Sequence, residues 1–267
     1  MSTIEKLINL NGRTALITGA AGGLGRVMAS TLAELGADLI LVDLPNTEIS
    51  GLIASLIERF KVNVEFISCD LEQEVQRANL VSQVKERSKV LNILINNAAF
   101  VGSSALPGWS VPFEQQTVET WRRAFEVNLT AIFELCQGLV PLLRLSEGSN
   151  IINIASIYGL YGPDWSLYEG TSMSNPAAYS ASKGGLLQFT RWLATTIAPD
   201  IRVNAISPGG IFRGQPEAFQ QRYTSKTPLG RMATEEDFCG AVAFLASDLS
   251  MYVTGHNLVV DGGWGIW

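Results

Sequence analysis

At 267 residues, 47% hydrophobic and 16% charged with 25 glycines, the chain has the composition of a well-buried globular protein, and one domain over residues 1–267 is the expectation. The formal charge of −6 denies it the basic surface that nucleic acid or an anionic membrane requires, so a small molecule is the expected partner. No run reaches the ~20 apolar residues of a membrane helix, no signal-type segment precedes the first strand, and Cys69, Cys136 and Cys239 lie far apart outside any metal-ligand spacing. These features predict a cytoplasmic protein with reduced thiols and no metal.

Short runs rich in Ile and Val recur along the chain at Thr14–Thr18, Leu39–Val42, Val64–Ser68, Ile93–Ile95, Ile151–Ile154, Arg202–Ile206 and Leu258–Val260. Such continuous apolar runs suit parallel strands buried on both faces. Amphipathic stretches intervene at Gly25–Leu35, Val75–Lys85, Val118–Leu135 and Ala181–Ile197. Alternating strand and helix predicts an α/β fold, a doubly wound seven-stranded parallel sheet of the Rossmann type in three αβα layers. Irregular segments at 100–116, 159–178 and 211–232 follow strands at the ligand-binding end, where they would form pocket walls and a lid.

The first strand runs directly into Thr18-Gly19-Ala20-Ala21-Gly22-Gly23-Leu24-Gly25. Glycines at a strand-to-helix corner permit a tight turn and leave the helix N-terminus free to hold a pyrophosphate, although a tight corner alone would explain them. Asp43 ends the second strand about twenty residues on, where a carboxylate can accept both adenine-ribose hydroxyls and repel a 2′-phosphate. Its plainer role is to start the turn before Pro45. Together these residues favour NAD as the cofactor.

Tyr179 and Lys183 stand four positions apart at the head of a helical stretch and share a face. A free phenol, with a pKa of about 10, is a poor base at neutral pH, and a neighbouring cation brings it toward the working range. Ser156, at the end of the fifth strand, can hydrogen-bond a substrate oxygen, or merely begin a loop. Asn128 interrupts an amphipathic helix with an amide that needs partners; it is either structural or the holder of a water relay toward Lys183.

With these motifs in order from Arg13 to Gly263, the chain resembles the short-chain dehydrogenase/reductase family. The resemblance implies that Gly19, Gly22, Gly23, Leu24 and Gly25 form the cofactor turn, that Asp70-Leu71 lies against adenine, and that Asn96-Asn97-Ala98 supports the sheet and lines the cofactor site. It makes Asn128, Ser156, Tyr179 and Lys183 a catalytic tetrad, with Tyr179 and Lys183 also touching the cofactor and the Ile211 backbone in Pro208-Gly209-Gly210-Ile211 holding the carboxamide. The implied activity is hydride transfer between NAD and a hydroxyl or carbonyl carbon, with Tyr179 as acid/base. It further implies a homo-oligomer, dimer or tetramer, paired through the helices near Val118–Leu135 and Ala181–Ile197.

Three features depart from the family pattern. Ala99 replaces a glycine after Asn-Asn-Ala, and Arg213 replaces a carboxamide-contacting threonine, where an arginine can reach the cofactor pyrophosphate or an anionic substrate. The extra residues 163–171 between Ser156 and Tyr179 predict a substrate wall, similar to bacterial oxidoreductases of surface-sugar and flagellin modification. Aromatic and polar residues near that wall (Trp109, Tyr158, Tyr161, Trp165, Tyr168, Glu169) suit a sugar or polyol, or simply pack the loop. Rival readings are a 3-oxoacyl carrier-protein reductase, a nucleotide-sugar epimerase or dehydratase, and an NAD sensor without chemistry. Asp43 opposes the first, the few residues after Gly263 the second, and the intact tetrad the third.

Overall fold

The computed structural model describes residues 2–102 and 106–267. After a short helix α1 (Thr3–Ile8), the chain alternates β1 (Thr14–Thr18), α2 (Gly23–Glu34), β2 (Asp38–Asp43), α3 (Ser50–Phe60), β3 (Val64–Ser68), α4 (Glu74–Arg87) and β4 (Ile93–Asn96). The second half adds α5 (Val118–Phe125), α6 (Ala131–Leu143), β5 (Asn150–Ile154), α7 (Ala177–Ile197), β6 (Arg202–Pro208), α8 (Glu217–Lys226), α9 (Cys239–Ala246) and β7 (Asn257–Val260). The seven strands form one parallel sheet in the order β3-β2-β1-β4-β5-β6-β7. Connections leave β1 toward β2 and β4 toward β5, so a crevice opens between β1 and β4 at the carboxyl ends of the strands.

Period-two alternation divides the strand side chains between two cores. Leu16, Ile40, Val42, Leu94 and Ile151 face a core completed by α4, α6 and α7. Ala15, Ile17, Leu39, Leu41, Ile152 and Ile154 face the opposite core, completed by α2, α3 and α9. Burial on both faces explains why the central strands read as unbroken apolar runs, while the edge strands β3 and β7 are partly exposed. The three αβα layers are those the alternation predicted.

Two segments differ from expectation. The stretch 211–232 contains the ten-residue helix α8, whose Phe219 and Tyr223 are buried in a small aromatic core. Its polar composition, Glu-Ala-Phe-Gln-Gln-Arg-Tyr-Thr-Ser-Lys, hides the periodicity because only those two rings face inward. The helix expected from Val118 runs on to Leu143 through a π-helical turn, Glu126–Thr130. At 26 residues it is long and apolar enough to cross a membrane by length and composition alone. Its apolar side is instead buried against the sheet by Ile132, Leu135, Leu139 and Leu143, while Arg123, Glu126 and Glu134 serve ion pairs.

Candidate active site

The carboxyl ends of the strands enclose a cleft of about 700 Å³ that runs from Asp43 and Asp70 past the glycine turn to Ser156 and Tyr179. At its floor Gly19 takes a φ of +64°, and a β-carbon there would stand 2.8 Å from the Ala98 Cα. A β-carbon on Gly25 would stand 2.1 Å from the Gly19 carbonyl oxygen, so the helix can pack onto the turn only with glycine at this position. Asn97 fastens the turn from β4: its Nδ2 donates to the Thr18 and Gly19 carbonyls at 2.9 and 3.0 Å. Gly22 precedes α2 without a side-chain cap, which leaves the first N–H groups of the helix for an incoming anion.

Asp43 does more than bound this cleft. One carboxylate oxygen accepts from the Ala21 N–H at 2.8 Å, tying β2 to the glycine turn. The other accepts from the Leu44 N–H at 2.8 Å and the Thr47 hydroxyl at 3.3 Å. The turn-starting contact is therefore present, and the carboxylate lines the cleft. Asp70 and Leu71 line the same end; Asp70 accepts from the Glu72 N–H, and the Leu71 carbonyl accepts from buried Arg77.

At the other end Ser156, Tyr179 and Lys183 share the cleft. The Lys183 ammonium is almost fully buried, 1% exposed, and donates to the Ile154 carbonyl at 2.7 Å. Burial penalises its charge and lowers its pKa from 10.5 to about 8. The same cause raises the pKa of Tyr179 above that of a free phenol, while a hydrogen bond with Ser156 and the charge of Arg213 oppose the rise. Ser156 also accepts from the Tyr158 N–H at 3.1 Å, which fixes its rotamer.

Asn128, fully buried, lies in the π-helical turn. Its Oδ1 accepts from the Phe100 N–H at 2.7 Å, and its Nδ2 donates to the Phe100 carbonyl at 3.3 Å and the Ser182 hydroxyl at 3.1 Å. The side chain thus clamps the loop after β4 to the residue preceding Lys183. Its amide meets the demand that a buried polar group be paired.

Ile211 reaches the cleft from a turn after β6 that sequence reasoning left unsupported. Tyr223 supports it: the buried phenol of α8 accepts from the Gly210 N–H at 2.6 Å. A β-carbon on Gly210 would meet the Tyr223 ring at 2.7 Å. The pairing of a glycine turn with a tyrosine thirteen residues later carries no local sequence signal.

Residues 19–265 match the family described as Enoyl-(Acyl carrier protein) reductase. The chain is 34% identical over 257 residues to the trans-4-hydroxycyclohexanecarboxylate dehydrogenase of Sinomonas cyclohexanicum, covering 94% of this chain and 92% of that one. The chain belongs to the short-chain dehydrogenase/reductase family. A second relative in this family, the post-translational flagellin modification protein A of Campylobacter coli, is 28% identical over 259 residues, 96% of this chain and all of that one. Among solved structures, a short-chain dehydrogenase from Leptospira borgpetersenii with bound NAD+ has a TM-score of 0.82 at 33% identity, covering 99% of this chain and 96% of that one. A gluconate 5-dehydrogenase from Burkholderia cenocepacia, in complex with NADP and tartrate, has a TM-score of 0.83 at 27% identity over 99% of each chain. Family membership makes the chain an oxidoreductase whose cleft takes a nicotinamide cofactor.

Within this short-chain dehydrogenase/reductase the 163–171 segment is not a wall of the main cleft. It packs on α8: Leu167 is fully buried, the Tyr168 ring lies 5.4 Å from that of Phe219, Arg222 donates to the Glu169 carbonyl at 2.6 Å, and Lys226 pairs with Asp164. It lines a neighbouring cavity of about 550 Å³ instead. The Tyr158 and Tyr168 hydroxyls, 2.6 Å apart, connect the segment to the loop after β5. Trp109, expected near the pocket, is buried and donates to the Val101 carbonyl at 2.8 Å. Trp109 and Tyr168 pack the loops, whereas Tyr161 and Trp165 are exposed and Trp165 and Tyr168 line the neighbouring cavity.

Proposed function

We propose that the chain transfers a hydride between NAD and the hydroxyl-bearing carbon of a small hydroxylated substrate, such as a sugar, polyol or cyclic alcohol, with Tyr179 as acid/base. The observation that carries this reading is the convergence of Ser156, Tyr179 and Lys183 on the cleft that begins at the N-terminus of α2. The glycine turn fits a dinucleotide: Gly22 precedes α2 with no side-chain cap, and Asp43 lines the far end. The bound nicotinamide would supply the hydride acceptor or donor.

The rest falls to the protein's own residues. Ser156 orients the substrate oxygen with its hydroxyl and Tyr179 takes the alcohol proton, returning it in the reverse direction. The cationic Lys183 favours the phenolate, and Asn128 keeps the loop after β4 and the start of α7 in register. The Asp43 carboxylate favours NAD by repelling a 2′-phosphate. The same repulsion weighs against an NADP-dependent 3-oxoacyl reductase. Exposed Trp121 and Phe133, on the α5–α6 run, and Trp192, on α7, support pairing of copies through those helices.

The test is NADH formation at 340 nm from purified protein with NAD or NADP and a panel of polyols, cyclic alcohols, sugar acids and 3-hydroxyacyl thioesters. Turnover with NAD on a polyol, sugar or cyclic alcohol supports the reading. Tight NAD binding with no turnover of any of them overturns it in favour of a sensor.

A further inference from the structure

Three cations line the cleft among the described residues: Arg123, Lys183 and Arg213. Two of them are engaged. Arg123 presents Nε and Nη2 to the two oxygens of Glu72 at 2.7 and 3.1 Å. The buried Lys183 ammonium donates to the Ile154 carbonyl.

Arg213 differs. Its side chain is 53% exposed, and its Nε donates to the Glu235 carboxylate at 3.0 Å. No acceptor among the described residues meets its Nη1 or Nη2. Glu235 lies against the first turn of α2: a β-carbon on Gly23 would stand 2.5 Å from its Oε1. A guanidinium held at Nε keeps its terminal edge presented in a defined plane. That edge offers two parallel N–H donors, the arrangement that matches a carboxylate bidentately.

The position of Arg213 assigns the edge to substrate rather than cofactor. It stands two residues beyond Ile211 and lines the same cleft as Ser156 and Tyr179, whose phenolate its charge favours. Resting on the function proposed above, we propose that Arg213 is the carboxylate receptor of the substrate site, so that the alcohol oxidised here is a hydroxy acid. The carboxylate is a handle and is unchanged by the reaction. The alcohol carbon gives its hydride to NAD and the hydroxyl gives its proton to Tyr179.

The test uses matched pairs, 4-hydroxycyclohexanecarboxylate and D-gluconate each with its primary amide, titrated into the protein–NADH complex and followed by NADH fluorescence. The acid is expected to bind at least tenfold more tightly than the amide, and Arg213→Gln to abolish that preference while the NADH Kd changes less than twofold. Arg213→Lys is expected to recover only part of it, since a point charge lacks the fork. Equal binding or no binding of acid and amide by the unaltered protein overturns the proposal, as does a preference that survives Arg213→Gln. Loss of NADH affinity in Arg213→Gln also overturns it and gives the residue to the pyrophosphate. Turnover of neutral alcohols without any acid preference would leave the proposed function standing and remove the receptor. A preserved acid preference without turnover would do the reverse.

Discussion

Lys183 and Tyr179 lie one turn apart on α7, with the ammonium 5.9 Å from the centre of the phenol ring while it donates to the Ile154 carbonyl at the end of β5. The helix supplies the shared face and the strand supplies the anchor, so the cation is held beside the phenol ring. Burial pushes the two groups in opposite directions, phenol up and ammonium down.

Replacing Tyr179 by Phe removes one oxygen from this arrangement and leaves the glycine turn and Asp43 untouched. Turnover is expected to fall by about 10²- to 10⁴-fold, the range of a lost general acid/base, with NAD affinity within twofold of the original. Steady-state rates at 340 nm and a fluorescence titration measure the two quantities. A rate within tenfold of the unaltered protein would remove Tyr179 from the chemistry.

The depressed pKa of Lys183 has a consequence for stability. An unfolded lysine keeps its proton up to about pH 10.5, whereas the folded one releases it near 8, so between those values the unfolded chain binds more protons and stability rises with pH. The full effect of this shift is about 3 kcal/mol at ~1.4 kcal/mol per unit, present as a penalty below pH 8 and relieved by pH 10.5. Lys183→Met is therefore expected to flatten that part of the profile. Urea unfolding at pH 7 and pH 10 checks it: the gain with pH in the unaltered protein should exceed that in Lys183→Met by up to about 3 kcal/mol. Parallel profiles would mean that the folded lysine is not so perturbed.

The sheet was legible because its central strands are buried on both faces, so that Leu16 and Ile17 both had to be apolar even though they face opposite cores. The cleft was legible because its chemistry lies in short local patterns at strand ends. What could not be read depends on contacts between distant segments. Tyr223 looks like an ordinary polar-helix residue until its hydroxyl is seen on the Gly210 N–H. Residues 163–171 looked like a pocket wall because they fall between Ser156 and Tyr179, yet the side chains that hold them belong to α8. Asn128 was recognisable as a buried amide, but its commitment to Phe100 and Ser182 follows from the π-helical turn that presents it.

Asp43 joins two functions that substitution can separate. Asp43→Asn removes the charge but keeps an oxygen for the Ala21 N–H, whereas Asp43→Ala also frees that donor. Both are expected to raise the NADP/NAD ratio of kcat/KM at least tenfold, because the repulsion of the 2′-phosphate goes in either case. Only the alanine variant is expected to weaken binding of both cofactors through a looser glycine turn. An unchanged ratio in both would separate Asp43 from cofactor choice.

Tyr223 offers the sharpest test of how the catalytic cleft depends on a residue outside it. Its hydroxyl is the acceptor for the Gly210 N–H, and its ring fills the space that the absent Gly210 side chain leaves. Tyr223→Phe keeps the ring and its stacking on Trp264, whose centroid lies 5.8 Å away, so the aromatic core survives. The Gly210 N–H, part-buried, then loses its acceptor, at a cost of at most about 1–3 kcal/mol, the range for a fully buried unpaired donor. Because the same turn carries Ile211 into the cleft, the loss is expected to appear twice: as a lower urea midpoint at unchanged m, and as a several-fold weaker NAD affinity. Stability lost with NAD affinity intact would show that the turn is held by the ring alone, and that the hydroxyl serves the fold without shaping the cleft.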